Sequence, residues 1–184
     1  MTISSPSDPA PSAAILIIGN EILSGRTQDV NIAWLAARLV ERGIRLREVR
    51  IVADIEPEII AAAQALSRLY TYVFTTGGIG PTHDDITAEA IAKAFDAPIE
   101  QHPEAARRLS RHYGAENLTA ARLRMARIPR GATLIDNAVS AAPGFRIGNV
   151  FVMAGVPMIM RAMMDAIEPL LARGAVVQIG RAHV

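Results

Sequence analysis

The stretch that decides the fold is residues 75–87, Thr-Thr-Gly-Gly-Ile-Gly-Pro-Thr-His-Asp-Asp-Ile-Thr. An apolar run at residues 72–74 precedes it and a helical pattern at residues 86–95 follows it, which predicts a strand, a tight loop and the start of a helix. Glycines without a Cβ let a ligand approach the main chain, and free N–H groups at a helix start favour an anion such as phosphate. The candidate phosphate-binding residues of this loop are Gly77, Gly78, Gly80, Pro81, Thr82 and His83.

Two adjacent carboxylates, Asp84 and Asp85, follow the glycines. They would repel a phosphate unless a divalent cation lay between, and Mg²⁺ is commonly held by one or two carboxylates together with substrate oxygens. This pattern predicts a metal-assisted phosphate or pyrophosphate site with Asp84 and Asp85 as metal ligands. A structural interpretation is also open, because Thr82 and Asp85 have the spacing of a helix capping box and the glycines would then serve only a sharp turn.

The composition is that of a globular protein and excludes several classes of function. The 184 residues suffice for one domain with a sizeable core, and 51% are hydrophobic against 20% charged. A net charge of +1 argues against direct binding of nucleic acid. The lack of cysteine excludes a thiol nucleophile and a cysteine metal site. Apolar runs are too short to span a membrane and no signal peptide is recognisable, so we expect a cytoplasmic protein without membrane association.

Apolar runs and helical patterns alternate along the chain. Strands are predicted at residues 13–18, 46–53 and 132–135, and a hairpin at 145–153 turns at Gly148-Asn149. Helices are predicted at residues 31–40, 57–69, 103–113, 119–127 and from 157 to about 172. The alternation predicts a parallel or mixed sheet covered on both faces, with ligands at the carboxyl ends of its strands. We therefore expect the loops 19–25, 76–85 and 155–157 to meet there.

Both ends of the chain differ from the globular part, which we place at residues 13–173. Residues 1–12 are rich in Ser and Pro and are predicted to be disordered. Residues 174–184 are interpreted as a truncated tail. Its end, Gln-Ile-Gly-Arg-Ala-His-Val at 178–184, is what a common sequencing adapter encodes in one reading frame. This predicts that the natural chain continues past Val177, and a frayed polar terminus is the alternative.

Four segments in this order resemble one superfamily. They are Gly-Gly-Ile-Gly-Pro-Thr-His-Asp-Asp at 77–85, Gly-Asn-Glu-Ile-Leu-Ser-Gly at 19–25, Asn31, and Ala-Gly-Val-Pro at 154–157. The pattern resembles the molybdopterin-binding fold of the MoaB and MogA type. More narrowly, it is similar to the N-terminal domain of the CinA, or competence/damage-inducible, proteins. The resemblance covers about residues 14–173 and implies a MogA-like three-layer α/β/α domain around a mostly parallel mixed sheet.

The molybdopterin branch of this resemblance implies one function. There the glycine loop holds phosphate and two acidic positions, which match Asp54 and Asp85, support adenylyl transfer to molybdopterin. This sequence departs from that branch at Ile79, where a Thr is usual, and at Asp84, where a basic residue is expected. Exchanging a cation for a carboxylate beside the phosphates disfavours adenylyl transfer and favours the CinA-like branch.

The CinA-like branch implies divalent-metal-dependent hydrolysis of ADP-ribose to AMP and ribose 5-phosphate. By this resemblance Asp84 and Asp85 hold the metal, Asp54 is a further ligand or a base, and Glu21 orients water or binds ribose hydroxyls. Hydrolysis of this kind needs a Lewis acid and an activated water. Gly155 and Pro157 form the second ligand-binding loop. A non-catalytic nucleotide- or pterin-binding module is a third hypothesis, and relatives of this type form homo-oligomers.

Several polar residues also have plainer structural interpretations. Asn31 has the position of an N-cap for its helix, and Glu21 follows a strand where it can cap the neighbouring turn. Asp54 has the position of an ordinary strand-end residue before Pro57. A basic group could attract an anionic ligand, but a solvated helix face is the preferred interpretation; its members are Arg122, Arg124, Arg127 and Arg130.

Overall fold

Strands and helices alternate along residues 10–174, the part of the chain that the computed structural model describes. The strands are β1 (Ser12–Ile18), β2 (Arg45–Val52), β3 (Tyr72–Thr76), β4 (Ile99–Gln101), β5 (Arg127–Pro129), β6 (Thr133–Ile135), β7 (Gly144–Ile147) and β8 (Val150–Met153). The α-helices are α1 (Asn20–Leu23), α2 (Asn31–Glu41), α3 (Glu56–Leu69), α4 (Thr87–Ala94), α5 (Pro103–Tyr113), α6 (Ala120–Arg124) and α7 (Pro157–Ile167).

Six of these strands form one mixed sheet in the order β2-β1-β3-β8-β7-β6. The first four run parallel, and β7 and β6 run antiparallel to their neighbours. Helices complete a three-layer α/β/α arrangement, so the predicted fold class is confirmed. The hairpin at Gly148-Asn149 is confirmed as well, with Gly148 at φ +56°.

The core sits on the central parallel strands. Every residue of β1 from Ala13 to Ile18 is buried, which explains why this strand reads as an unbroken apolar run. Phe74 of β3 stacks on Phe151 of β8 with 5.3 Å between ring centroids. At the sheet edge, β2 instead alternates between exposed and half-buried residues. The centre of the sheet is therefore rigidly packed and presents a fixed set of strand ends.

Several predicted boundaries were wrong. The helix predicted at 119–127 ends at Arg124, because Arg127–Pro129 forms β5 and pairs with the unpredicted strand β4. These two strands have three residues each, too few for alternation to be visible. The last helix ends at Ile167 and continues only as a 3-10 turn, Glu168–Leu170.

The two ends of the chain lie partly outside the described residues. Strand β1 begins at Ser12, inside the tail predicted to be disordered. The rest of that prediction, at residues 1–9, and the prediction for the end of the chain, at 175–184, lie outside the described residues. None of the helices in residues 10–174 has the length and apolar character that crossing a membrane requires.

Candidate functional site

The four parallel strands end at one edge of the sheet, and hydrogen bonds connect the loops that follow them. Gly19 N donates to Val52 O at 3.2 Å, which joins the ends of β1 and β2. Gly77 N donates to Met153 O at 3.2 Å, which joins β3 and β8. The three loops predicted to meet at this edge do so, and the turn after β2 that carries Asp54 joins them.

Gly77 is buried at the centre of this edge, and its role there is packing. Its φ is +106°, and a Cβ at this position would lie 2.1 Å from Ile18 O on the main chain of β1. Gly155 approaches from the other side, so that its own Cβ would lie 3.3 Å from Gly77 Cα. Strand ends can approach this closely only without side chains.

Thr87 fixes the start of α4 against the glycine loop. Its Oγ1 donates to Gly77 O at 3.0 Å, and its N donates to Gly78 O at 3.1 Å. The side chain is fully buried, and a Cβ at Gly78 would lie 2.2 Å from its Oγ1. Sequence reasoning missed this residue, and the available signal was a small hydroxyl residue at the helix start after a glycine loop.

Asp85 is half-buried and folds back on its own loop. Its Oδ2 accepts hydrogen bonds from Thr82 N at 2.8 Å and from Thr82 Oγ1 at 2.6 Å. A Cβ at Gly80 would lie 2.7 Å from the same oxygen, so the glycine makes room for the carboxylate. The Thr82–Asp85 pairing suggested by the capping-box spacing is present, but α4 begins only at Thr87 with Ile86 as its N-cap. The pair therefore shapes the loop and does not cap the helix.

Asp84 has different surroundings from its neighbour. Its Oδ1 lies 3.0 Å from His83 Nε2, and these side chains are 74% and 86% exposed, respectively. Pro81 and Thr82 are exposed too. The tip of the loop therefore offers one solvated carboxylate beside one half-buried carboxylate.

Asp54 and Glu21 lie at the same edge. Asp54 is half-buried, and its Oδ2 accepts a hydrogen bond from Asn20 N at 2.8 Å at the start of α1. Glu21 is exposed, and its carboxylate lies so close to Gly19 that a Cβ there would be 2.6 Å from Glu21 Oε1. The bond from Asn20 N gives Asp54 a structural task, and the capping interpretation of Glu21 stays a prediction. Neither contact prevents the second oxygen of Asp54 from meeting a ligand.

Asn31 connects α2 to the loop at residues 154–156, which precedes α7 and its first residue Pro157. Its buried Nδ2 donates to Gly155 O at 2.8 Å, so α2 holds the residue that approaches Gly77. At the start of α2, the backbone N–H of Ile32 donates to Asp29 Oδ1 at 2.8 Å, so Asp29 and not Asn31 supplies the capping oxygen. The N-cap interpretation of Asn31 was therefore wrong.

The four arginines of the basic group separate into different environments. Arg127 pairs with Glu89 at 2.7 Å, and Arg130 pairs with Glu100. Arg122 lies over the ring of Tyr113. Arg124 is half-buried and lines a small cavity together with Gly78, Gly80, Asp85 and Glu89. The preferred interpretation as a solvated helix face was wrong for Arg124, which lies at the glycine loop without an ion-pair partner among residues 10–174.

The carboxylates suit only one kind of metal site. Nowhere in residues 10–174 do three or more His, Asp or Glu side chains gather closely enough to hold an ion by themselves. A site made of protein ligands alone, as structural zinc requires, does not fit this donor set. Mg²⁺ is the metal for which Asp84 and Asp85 would suffice, because it keeps several waters and takes further oxygens from substrate phosphates. The metal site therefore stays a prediction of this narrower form.

Comparison with known proteins places the same residues in one family. A family model described as a probable molybdopterin binding domain matches residues 14–173. The structure of CinA from Thermoplasma acidophilum is similar with a TM-score of 0.82 and 35% identity, covering 87% of this chain and 97% of that chain. MoaB from Thermus thermophilus shares the fold alone, with a TM-score of 0.58 and 19% identity over 88% of this chain and 91% of that one.

Longer relatives were also found. A protein from Aeropyrum pernix is 40% identical over 95% of this chain and 69% of its own length. A CinA-like protein from Desulfovibrio desulfuricans is 34% identical over 90% of this chain and 41% of its own length. The chain also spans only 61–64% of relatives from two Pyrobaculum species and Metallosphaera sedula. The activities of those whole proteins do not transfer to this chain without a test.

Proposed function

We propose that this protein, which belongs to the molybdopterin-binding domain family, is a metal-dependent hydrolase of the pyrophosphate in ADP-ribose or a related nucleotide. One observation carries the proposal: the half-buried carboxylate of Asp85 and the exposed carboxylate of Asp84 follow a glycine loop at the carboxyl edge of the sheet. Two carboxylates beside a glycine loop are a donor set that suits a Mg²⁺–pyrophosphate complex. The similarity to CinA supports the same branch of the family.

Each residue has a defined task in this proposal. The main chain at Gly78 and Gly80 approaches the pyrophosphate, and Arg124 offsets part of its negative charge. Asp84 and Asp85 would hold the divalent metal, which when bound would supply a Lewis acid for the phosphoryl oxygens and activate water. Asp54, with one oxygen engaged by Asn20 N, orients the attacking water or takes its proton. Water adds across the P–O–P bond, and the products are AMP and ribose 5-phosphate.

The test is a direct assay of the product. The protein is incubated with ADP-ribose and with Mg²⁺, Mn²⁺ or Co²⁺ in turn, and AMP is quantified by chromatography. We expect AMP in proportion to enzyme and no AMP after chelation of the metal. If no metal supports AMP release from ADP-ribose or other nucleoside diphosphate derivatives, the hydrolase is rejected and a non-catalytic nucleotide- or pterin-binding module takes its place.

Replacing Arg124 by Gln is expected to weaken substrate binding. Loss of a half-buried cation beside the pyrophosphate should raise KM for ADP-ribose about tenfold, since one charge-assisted contact contributes roughly 1.5 kcal/mol. The change in kcat should be smaller, because the carboxylates are untouched. Steady-state kinetics at saturating metal measure both constants.

Arg122→Gln is the matched control for this substitution. It removes the same charge two residues away, but Arg122 lies over Tyr113 and donates to Asn117 O. Its KM should stay within about twofold of the wild-type value, since Arg122 does not line the cavity beside Gly80 and Asp85 and a charge at a distance is screened by salt. Equal KM values for Arg124→Gln and Arg122→Gln would remove Arg124 from the site.

Adenylyl transfer to a pterin is the second candidate function. The fold shared with MoaB and the placement of Asp54 and Asp85 at one edge of the sheet favour it. The carboxylate of Asp84 opposes it, because a transferase must attract the phosphates of ATP. Formation of adenylylated molybdopterin from ATP would replace the first proposal with this one. The predicted homo-oligomer and cytoplasmic location stay predictions.

A further inference from the structure

A cleft of about 440 Å³ opens between helix α5 and the loop at residues 136–143. Pro143 lines this cleft and also the small cavity beside Gly80 and Asp85. The cleft and the small cavity are therefore neighbours that share Pro143, the residue before β7. The proposed hydrolase leaves this larger space without a task.

One wall of the cleft carries positive charge from α5. Arg111 is exposed toward it and has no ion-pair partner within residues 10–174. Arg108 lies deeper and is held by Glu104 and Asp136. Hydrogen bonds from Arg108 and Arg107 lower the pKa of Glu104 to about 2, so this acid stays ionised and keeps Arg108 in place. Arg111 and His112 remain available to an incoming ligand.

The opposite wall is a loop shaped by the side chain of Asn137. Its Oδ1 accepts hydrogen bonds from Val139 N at 3.2 Å and from Ser140 N at 2.6 Å, and its Nδ2 donates to Ala142 O at 2.8 Å. Ser140 Oγ accepts from Ala142 N at 3.3 Å, and its own hydrogen can be donated into the cleft. The loop is therefore organised before any ligand arrives, which lowers the entropy cost of binding.

We propose that this cleft is a second anion subsite that binds a phosphomonoester between Arg111 and Ser140. A planar guanidinium and a hydroxyl are suitable donors for phosphate oxygens, and a dianion is the ligand that an uncompensated arginine attracts most strongly. The identification of the whole ligand rests on the proposed function: with pyrophosphate at the glycine loop, the favoured substrate carries a further phosphate elsewhere, such as on the 2′-hydroxyl of its adenosine ribose. The cleft then selects nucleotides that carry this extra phosphate over those that lack it.

Inorganic phosphate is the probe that tests the subsite without any turnover. Titration of the isotope-labelled protein with phosphate, followed by amide NMR, should give saturable shifts at residues 111–112 and 138–142. Arg111→Gln should weaken this binding about fivefold, the factor that roughly 1 kcal/mol from a partly exposed ion pair supplies. Ser140→Ala should weaken it in the same direction.

Arg107→Gln is the matched control on the same helix. Arg107→Gln removes one positive charge, as Arg111→Gln does. Arg107 is 68% exposed, pairs with Glu104 and does not line the cleft, so only the position of the lost charge differs. Phosphate affinity in this variant should stay within about twofold of wild type. Shifts confined to residues 77–87, or equal phosphate affinities in Arg111→Gln and Arg107→Gln, would overturn the subsite.

A second measurement uses the larger ligand. ADP-ribose 2′-phosphate should bind more tightly than ADP-ribose, and this preference should shrink in Arg111→Gln but not in Arg107→Gln. Binding is measured by calorimetry with Mg²⁺ present in the Asp54→Asn background, which lacks the proposed base, so hydrolysis does not disturb the result. An absent preference overturns the subsite even if AMP is released, and an absent hydrolysis leaves the phosphate titration unaffected.

Discussion

Asp85→Asn is expected to lower kcat for AMP release by at least about a hundredfold. The substitution removes a negatively charged ligand of the metal that would activate the pyrophosphate. The substitution is nearly isosteric. The amide oxygen of Asn can still accept the hydrogen bonds that Thr82 N and Oγ1 donate to Asp85 Oδ2, so the loop should keep its shape. Single-turnover kinetics at saturating Mg²⁺ measure the loss. A thermal midpoint within a few degrees of wild type shows that the fold is retained.

Two further variants, Asp84→Asn and Asp165→Asn, serve as comparisons for Asp85→Asn. Asp84→Asn removes an exposed carboxylate whose contact is with His83, and it should mainly raise the Mg²⁺ concentration needed for half-maximal activity. Asp165→Asn removes a 63% exposed carboxylate paired with Arg38 on α2, and kcat should not change. A wild-type kcat for Asp85→Asn, with unchanged metal activation, would exclude Asp85 from the catalytic site and leave it only the task of shaping its loop.

Sequence reasoning reached the edge of the sheet because parallel strands obey a simple geometric rule. A buried strand, a glycine loop and a helix follow one another locally at residues 72–94, and parallel strands place such loops at one edge. Asp54 and Gly155 could be assigned to that edge for the same reason. These placements depend only on the parallel direction of the strands, which the alternation of apolar runs and helical patterns predicts.

The partners that come from distant segments could not be read in the same way. Arg124 reaches the glycine loop because α6 ends early and the chain turns into β5, a strand of three residues that pairs with β4. Such a short pairing leaves no periodic signal, so the arginines of this segment appear as one basic face in the sequence. The bond between Asn31 and Gly155 spans 124 positions and depends on how α2 packs, which no local pattern encodes.

Gly77→Ala should destabilise the fold by more than about 4 kcal/mol, a loss comparable to much of the stability of an ordinary domain. The new Cβ would lie 2.1 Å from Ile18 O, and that oxygen belongs to the fully packed main chain of β1. The atom that the new Cβ meets is main chain and not the end of a flexible side chain, so β1 and β3 must separate. The residue must also keep a φ of +106°, which an alanine adopts only with strain.

Gly131→Ala isolates the backbone part of this effect. Gly131 has a similar positive φ of +82°, but nothing lies within 4 Å of the position its Cβ would take. Its substitution should therefore cost only about 1–2 kcal/mol, the strain of a left-handed alanine. Urea unfolding of both variants, followed by circular dichroism, measures the difference, and free energies within about 1 kcal/mol of each other would contradict the packing role of Gly77.

The same pair of variants separates two meanings of the glycine loop. If Gly77 serves the close approach of β1, β3 and the loop of Gly155, its loss destabilises the protein equally with and without nucleotide. If it instead served ligand contact, stability would be kept and only binding would fall. The buried position of Gly77 predicts the first outcome, which leaves contact with the pyrophosphate to the half-buried Gly78 and Gly80.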